Sequence, residues 1–170
     1  MEHRILIIGS PGSGKSTLAM RLQQNYKIPL YHIDKIQWLN DQATVTPESL
    51  HAQLKEIVAT PSWIIDGHYS NTLLMRLERA TTVIWIKESR WKCIYRVIKR
   101  YLMTVFRKPT VGGNPKTISL AFLKYVWDFP ENNYDKVDAY YQQTQHHTQW
   151  VIGNTQSIYS KLNLWLRDLI

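Results

Sequence analysis

The chain of 170 residues carries 21 lysines and arginines against 13 aspartates and glutamates, which gives a formal net charge of +8. This length is sufficient for one domain with a substantial core, and no linker rich in proline, glycine or serine divides it. The single cysteine, Cys93, excludes an internal disulfide and a cysteine-based metal site. The apolar run before Gly9 is too short for a signal peptide or a membrane span, so we expect a cytoplasmic protein with one domain over residues 1–170.

The excess of positive charge is concentrated in one segment. Between Arg90 and Lys108 the sequence contains seven basic residues and no acidic residue. Such a segment favours a polyanionic partner, either the phosphates of a nucleotide or a nucleic-acid backbone. A solvated helix face is the ordinary alternative, and the sequence alone leaves these interpretations open.

The first predicted elements surround a glycine-rich stretch. Residues 4–8 predict a buried strand and residues 16–24 predict a helix. Between them, residues 9–16, here called the glycine-rich loop, fit the pattern G-x-x-x-x-G-K-[ST] at every fixed position. Glycines let backbone N–H groups surround a phosphate, while Lys15 supplies positive charge and Ser16 a hydroxyl for Mg²⁺. A simple glycine-serine turn would not explain the Lys-Ser pair at the start of a helix.

The next elements each end near a polar side chain. Residues 30–33 predict a second strand that ends at Asp34, and residues 47–58 predict an amphipathic helix with Thr46 as its cap. A third strand over 62–67 contains Asp66 near its end. The short helix that follows is expected to bury its leucines and to expose Arg76 and Arg79.

Two regions follow the predicted fourth strand at 82–86. A long helix begins at Ser89, with an apolar face expected to run from Trp91 to Val105 and a basic face opposite. The basic face carries Lys92, Arg96, Lys99 and Arg100. Glycines and prolines then predict a mobile, lid-like loop over residues 108–118.

The last part of the chain completes the alternation. Residues 119–128 and 133–145 predict two separate helices, residues 149–153 a fifth strand, and the residues after Thr155 a final helix. Strands that alternate with helices and are apolar throughout indicate an α/β fold with a parallel sheet covered on both faces. In such sheets ligands bind beyond the carboxyl ends of the strands. The residues predicted at or just past these ends are Gly9, Asp34, Asp66, Arg90 and Gly153.

Four features together resemble the P-loop kinases of the nucleoside monophosphate kinase superfamily. More narrowly, the chain is similar to the adenylate-kinase-related proteins called topology modulation proteins. The features are the glycine-rich loop, the pair Asp34 and Trp38, the segment Ile64-Ile65-Asp66-Gly67, and the basic helix with Arg90, Cys93, Arg96, Lys99 and Arg100. The resemblance implies a three-layer P-loop NTPase fold with a five-stranded parallel sheet flanked by helices on both faces.

The resemblance also implies roles for individual residues. The implied ATP-binding residues are Gly9, Gly12, Ser13, Gly14, Lys15, Ser16 and Thr17, with Gly153 and Asn154 near the adenine. Ser16 would hold Mg²⁺, with Asp66 holding it directly or through water. The implied catalytic residues are Lys15, Asp34, Arg90, Arg96 and Arg100. The three arginines match those that in relatives stabilise the transferred phosphoryl group or stack on the base.

The sequence departs from adenylate kinases proper after Asp66-Gly67. It continues with His68-Tyr69-Ser70, where those enzymes have Phe-Pro-Arg and use the arginine to bind the acceptor's phosphate. The acceptor therefore stays open between a nucleotide-like and a hydroxyl-bearing compound. Asp34 has three possible roles: a base for a hydroxyl acceptor, a residue near Mg²⁺, or a turn aspartate that caps backbone N–H groups.

Three functional hypotheses are compatible with the fold class and the glycine-rich loop to different degrees. We expect an ATP-dependent kinase whose partners are ATP and an unidentified small acceptor, with no membrane partner. The alternative is an ATP-binding, nucleic-acid-associated regulator that uses the basic helix at 90–108. A nucleotide-operated switch is disfavoured because the sequence contains no Asn-Lys-x-Asp element for guanine. The oligomeric state stays open.

Overall fold

A computed structural model describes residues 2–39, 43–105 and 118–167. Nearly all of the predicted lid-like loop at 108–118, together with Arg107 and Lys108, lies outside these residues. In chain order the elements are β1 (Arg4–Gly9), α1 (Lys15–Tyr26), β2 (Leu30–His32), α2 (Ile33–Gln37), α3 (Pro47–Ala59), β3 (Trp63–Asp66), α4 (Ser70–Arg79), β4 (Thr82–Ile86), α5 (Arg90–Val105), α6 (Leu120–Thr144), β5 (Gln149–Gly153) and α7 (Thr155–Arg167).

The five strands form one parallel sheet in the order β2-β3-β1-β4-β5. The prediction of an α/β fold with a five-stranded parallel sheet is confirmed. β1 lies at the centre, and the side chains of Ile5, Leu6, Ile7 and Ile8 are buried. A strand that is apolar at every position is stable only where both faces of the sheet are covered.

Helices cover both faces of the sheet. Leu6 and Ile8 of β1 pack in a cluster with residues of α3, α4 and α6. Ile5 and Ile7 point to the opposite face, where they pack with residues of α1 and α7. The alternation of side chains along β1 therefore gives three layers.

The connections place a crevice at the carboxyl end of β1. After β1 the chain moves to one side of the sheet to form β2, and after β4 it moves to the other side to form β5. Where connections diverge in this way, the loops separate and leave room for a ligand. The glycine-rich loop lies at this point.

The structure corrects the predicted orientation of α5. Trp91 is 73% exposed and Leu102 is 50% exposed, although both were expected on the buried face. Val97 is buried, as expected, and so is Cys93. The reason is that α5 packs against the glycine-rich loop, where a Cβ atom on Gly12 would lie 2.5 Å from the carbonyl oxygen of Cys93.

Two other predictions were wrong. Arg76 was expected on the exposed side of α4, but its side chain is completely buried. The two helices expected at 119–128 and 133–145 are one helix, α6, with Pro130 inside it. Pro130 removes one backbone donor, and the side-chain amide of Asn133 donates to the carbonyl oxygen of Phe129 in the same turn.

Candidate active site

A cavity of about 770 Å³ opens beyond the carboxyl ends of the strands. Its walls come from the glycine-rich loop, α2, the turn between β3 and α4, α5, and the first half of α6. The predicted site residues that line it are Gly9, Gly12, Gly14, Lys15, Ser16, Thr17, Asp34, Asp66, Arg96 and Arg100. This volume lies in the range of small-molecule sites, about 300–1,000 Å³.

The glycine-rich loop has a conformation that depends on its glycines. Gly12 has φ +78° and Gly14 has φ +100°, which are left-handed values that side-chain-bearing residues rarely adopt. Gly14 is also the N-cap of α1. Because the first N–H groups of a helix have no intrahelical partner, the start of α1 presents free donors and a partial positive charge at the cavity.

Lys15 adds a full positive charge to this wall. Its ammonium group donates to the carbonyl oxygen of Ser10 at 2.8 Å. Burial lowers the pKa of Lys15, and the nearby carboxylates of Asp66 and Asp34 oppose that effect. Lys15 is partly buried, and the two carboxylates favour its charged form, which can meet an anionic ligand at this wall.

Ser16 and Asp66 are brought together although they are fifty residues apart. The Ser16 hydroxyl donates to Oδ2 of Asp66 at 2.6 Å. The other carboxylate oxygen lies 2.5 Å from Nδ1 of His32. His32 and Asp66 are in register on the adjacent parallel strands β2 and β3, so the backbone pairing itself sets their contact.

The pair of Ser16 and Asp66 fits the requirements of a Mg²⁺ site. Mg²⁺ prefers oxygen ligands and is usually held by one or two protein groups with several waters. The hydroxyl and the carboxylate supply adjacent oxygens, and His32 fixes the orientation of the carboxylate. Within residues 2–39, 43–105 and 118–167, no group of three or more His, Cys, Asp or Glu side chains forms an all-protein metal site.

Asp34 occupies the first turn of α2 and lines the cavity. β2 ends at His32, two residues before Asp34, so the predicted strand over 30–33 is slightly too long. The hydroxyl of Tyr69 donates to Oδ1 of Asp34 at 2.6 Å. This contact helps to hold the Asp34 carboxylate in place.

The turn that carries Tyr69 is held by Arg76. Tyr69 has φ +35°, which is strained for an aromatic residue. The buried guanidinium of Arg76 donates to the carbonyl oxygens of Gly67, His68, Tyr69 and Thr72. Burial lowers the pKa of Arg76 to about 9. These bonds compensate for the strained backbone, so Arg76 stabilises the turn from inside the protein.

Arg96 braces the glycine-rich loop from α5. Its Nη1 donates to the carbonyl oxygen of Ser13 at 3.1 Å, and its Nη2 lies 3.6 Å from Oε2 of Glu88. Glu88 also accepts a hydrogen bond from the hydroxyl of Thr155 at 2.7 Å. Glu88 therefore connects the end of β4 with α5, α7 and, through Arg96, with the loop.

The remaining predicted residues divide into two groups. Arg100 lines the cavity beside Lys99, and burial lowers its pKa. Arg90 is not among the residues that line the cavity, since its guanidinium donates to Glu131 at 2.9 Å and lies over the Trp127 ring. Ser13 belongs to the loop but is buried and does not line the cavity. Gly153 and Asn154 lie at the end of the edge strand β5 and do not line it either.

The part of the cavity wall that α6 forms is aromatic. Phe122, Tyr125 and Phe129 follow one another along α6 and line the cavity. The imidazole of His68 packs edge-on against Phe129, with 4.8 Å between ring centroids. Burial, together with the charges of Lys15 and Arg76, lowers the pKa of His68 to about 4. The cavity thus has a cationic side at the glycine-rich loop and an aromatic side at α6.

Several site residues were not identified from the sequence. They are His32, Arg76, Glu88 and Thr155. Glu88 directly precedes a predicted helix start, and the sequence does not show that Arg96 and Thr155 contact it. His32 precedes Asp34 by two residues, but its partner Asp66 is known only when the order and register of the strands are known.

Comparison with protein-family models found no match, and a search of curated proteins found no significant match either. Among the described helices none is both long enough and apolar enough to cross a membrane.

Proposed function

We propose that this protein is an ATP-dependent phosphotransferase that moves the γ-phosphate of Mg·ATP to a small nucleotide-like or hydroxyl-bearing acceptor. The observation that carries the proposal is the 2.6 Å contact between Ser16 and Asp66 in the same cavity as Lys15. A glycine turn alone does not require a carboxylate from a neighbouring strand beside its terminal hydroxyl. The resemblance to P-loop kinases supports the same conclusion.

The loop side of the cavity binds the triphosphate. Backbone N–H groups from Gly12 to Ser16 surround the phosphates, and Lys15 neutralises the outer oxygens. Ser16 and Asp66 hold Mg²⁺, which when bound neutralises charge on the phosphate oxygens. Arg100 and Lys99 supply further positive charge from α5.

In the reaction the acceptor oxygen forms a bond to the γ-phosphorus while the bond from that phosphorus to the β,γ-bridging oxygen breaks. Phosphoryl transfer depends mainly on positioning and charge neutralisation. Asp34, held by Tyr69, orients a hydroxyl acceptor and takes its proton. For a phosphate acceptor no base is needed, and Asp34 then only orients the acceptor.

The alternative of a nucleic-acid-associated regulator stays a prediction. Several of the basic residues of α5 have acidic partners or line the cavity. Arg90 pairs with Glu131, Lys92 lies 3.4 Å from Glu88, and Arg96 also pairs with Glu88. These contacts account for much of the segment without nucleic acid. Binding of duplex DNA that weakens steeply with salt would favour the alternative.

The test is ADP release from Mg·ATP across a panel of nucleosides, nucleoside monophosphates and small alcohols. We expect Lys15→Ala and Asp66→Asn to reduce turnover by about 10²–10³-fold, because each removes a charge that acts on the phosphates or their cation. Lys55→Ala removes an exposed lysine of α3 and serves as the control. Turnover by Lys15→Ala at the rate of Lys55→Ala would contradict the proposed function.

A further inference from the structure

One face of α5 carries a row of apolar side chains in contact with solvent, here called the α5 seam. Its four residues are 73%, 63%, 38% and 50% exposed, in the order Trp91, Tyr95, Ile98 and Leu102. At about 100° per residue they lie within about 60° of the helix circumference, opposite Cys93, which is buried against the glycine-rich loop. Apolar side chains that are exposed in a row, unlike single ones, indicate an interaction surface.

The spacing of the α5 seam indicates that its partner is a helix. Its residues are separated by four, three and four positions, which is the spacing of the a and d positions in a coiled coil. A stripe limited to these positions is typical of contact between two helices, whereas the apolar face of other amphipathic helices is at least about 100° wide. A lipid surface takes up the broad apolar face of a helix and fits this narrow stripe less well. The 16 residues of α5 provide slightly more than two heptads for a partner helix.

The aromatic residues of the α5 seam are held in place before a partner binds. The ring of Trp91 lies edge-on to Trp127 of α6, with 4.8 Å between the ring centroids. The ammonium group of Lys99 lies 5.9 Å from the centroid of the Tyr95 ring. Side chains that are already ordered lose less conformational entropy on binding, and tryptophan and tyrosine supply much of the binding energy at interfaces.

The positions that flank the α5 seam define the charge of the partner. Lys92 and Lys99 each directly follow a seam residue and occupy the e positions of the heptads. Lys92 lies 3.4 Å from Glu88, but its side chain is 59% exposed, and an ammonium group has three donors. The g positions carry Ile94 and Tyr101, which are half-buried. Because residues at e and g select the partner through ion pairs between helices, this seam selects a helix with acidic flanks.

A second copy of α5 lacks this complementarity. In an antiparallel pair of copies, Lys92 and Lys99 would face the same lysines of the other copy, and in a parallel pair they would face Ile94 and Tyr101. The segment from Arg90 to Lys108 contains no acidic residue, and the net charge of +8 adds to the repulsion between copies.

We propose that the α5 seam is a docking surface for an amphipathic helix of another protein, with apolar residues at the a and d positions of that helix and glutamate or aspartate beside them. This inference goes beyond the proposed phosphotransferase function and does not depend on it. The α5 seam lies on the side of α5 opposite the contact with the glycine-rich loop.

Two synthetic peptides of about 21 residues test the charge preference. Both carry leucine at a and d, and one has glutamate at e and g where the other has lysine, so that like charges keep each peptide monomeric. In titration calorimetry with the full chain at low salt, the glutamate peptide should bind at least about tenfold tighter than the lysine peptide. Lys92→Gln should reduce this ratio by about two- to fivefold, and Lys55→Gln on the exposed side of α3 should leave it unchanged. Lys99 is kept because it also lines the cavity.

Variants of the α5 seam assign the binding to this face. Leu102→Ser should weaken binding of the glutamate peptide at least about tenfold, and Tyr95→Ser, a second seam variant, should cause a similar loss. Leu74→Ser on α4 is the matched control, because Leu74 is 48% exposed and Leu102 is 50% exposed, and it should leave binding unchanged. Equal binding of the two peptides, equal effects of Leu102→Ser and Leu74→Ser, or no binding of the glutamate peptide at about 1 mM would each overturn the inference.

Three further measurements would identify a different occupant. We expect wild-type protein to sediment as a monomer, and we expect wild type and Leu102→Ser to bind phosphatidylserine vesicles and a single-stranded oligonucleotide equally. A wild-type dimer that Leu102→Ser converts to a monomer would identify a second copy. Binding to the vesicles or to the oligonucleotide that Leu102→Ser abolishes would identify a lipid surface or a nucleic acid. Each of these results would overturn the inference, and none bears on ADP release, so the phosphotransferase function is tested separately.

Discussion

At the scale of single residues, Gly12 is the position of the glycine-rich loop that tolerates an added side chain least. A Cβ atom there would lie 2.5 Å from a backbone oxygen of α5, and φ is +78°. At Gly14 the nearest atom to an added Cβ would be 3.6 Å away, so only backbone strain would arise. We expect Gly12→Ala to lower the free energy of unfolding by about 1–3 kcal/mol and to weaken Mg·ATP binding at least about tenfold.

Gly14→Ala introduces backbone strain without a close contact, whereas Gly12→Ala introduces both. Comparing the two variants therefore separates the steric clash with α5 from the backbone strain. Titration calorimetry with Mg·ATP and urea denaturation measure the two effects. Because the obstructing atom is backbone, the Gly12 variant should be the more damaged of the two in both measurements. Equal effects of the two substitutions would show that the contact between the loop and α5 is unimportant.

His68 makes stability depend on pH. Its pKa is lowered from 6.5 to about 4 in the folded protein, mainly by burial. Between about pH 6.5 and pH 4 the unfolded chain therefore binds a proton at His68 that the folded protein does not bind. The free energy of unfolding falls as the pH decreases through this interval. The loss from this residue is about 3 kcal/mol at about 1.4 kcal/mol for each pH unit.

Urea denaturation of wild-type protein and His68→Gln at pH 7 and pH 4.5 measures how much His68 contributes to the pH dependence of the free energy of unfolding. The variant should lose less stability than wild type over the same interval, because carboxylates contribute equally to both. His51→Gln should follow wild type, since His51 is exposed. Parallel curves for wild type and His68→Gln would refute the assignment.

At the scale of elements, the turn between β3 and α4 depends on Arg76. Arg76→Met keeps the apolar stem but removes four hydrogen bonds to backbone carbonyls around a residue with φ +35°. We expect the free energy of unfolding to fall by about 3–5 kcal/mol, as it does when one partner of a buried charged network is removed. Arg79→Met, on the partly exposed side of the same helix, should cost less than about 1 kcal/mol.

The kcat and the Mg·ATP affinity of the Arg76 variant provide a second test. Where the variant still folds, kcat should fall more than Mg·ATP affinity, because the turn positions Tyr69 and through it Asp34 on the acceptor side. Tyr69→Phe should reproduce the loss of kcat with a smaller loss of stability. Unchanged kcat in both variants would show that the contact between Tyr69 and Asp34 is not used in the reaction.

The elements themselves were largely predictable because their signals are local. Apolar runs bounded by turn residues defined the strands, and Thr46 with Pro47 defined the start of α3, where the structure shows the expected cap. The buried side of α5 was not predictable, because Trp91 and Leu102 are as apolar as the residues that pack. Arg76 was assigned to solvent for a similar reason, since its partners are carbonyls of a turn whose shape is not visible in the sequence.

At the scale of the whole molecule, a cavity residue was predictable only where it lies at the carboxyl end of a strand that the sheet order places beside the cavity. Gly9 ends the central strand β1, Asp66 ends its neighbour β3, and Asp34 lies two residues past β2 on the same side of β1. These three residues share one cavity. Gly153 follows β5 at the sheet edge, beyond β4, and therefore lies away from it. Without the strand order, the sequence does not show on which side of β1 a later strand lies, so Asp34 after β2 and Gly153 at the end of β5 look equivalent.

Glu88 connects parts of the chain that are distant in sequence. Its carboxylate accepts hydrogen bonds from Ser89 and Thr155 and pairs with Arg96, which braces the glycine-rich loop. Glu88→Gln preserves the shape but removes the charge that holds Arg96. We expect the free energy of unfolding to fall by about 1–3 kcal/mol. Mg·ATP affinity should fall as well, because Arg96 no longer holds the glycine-rich loop in place. The substitution itself changes no group that touches ATP.

Urea denaturation and calorimetry with Mg·ATP measure both effects, and Glu56→Gln on the exposed side of α3 is the control. The double variant Glu88→Gln with Arg96→Ala decides whether the two residues act as a unit. If they do, the affinity loss of the double variant should be much smaller than the sum of the single losses, since either change alone already releases the brace. Additive losses would mean that Glu88 stabilises α7 through Thr155 and has no part in shaping the loop.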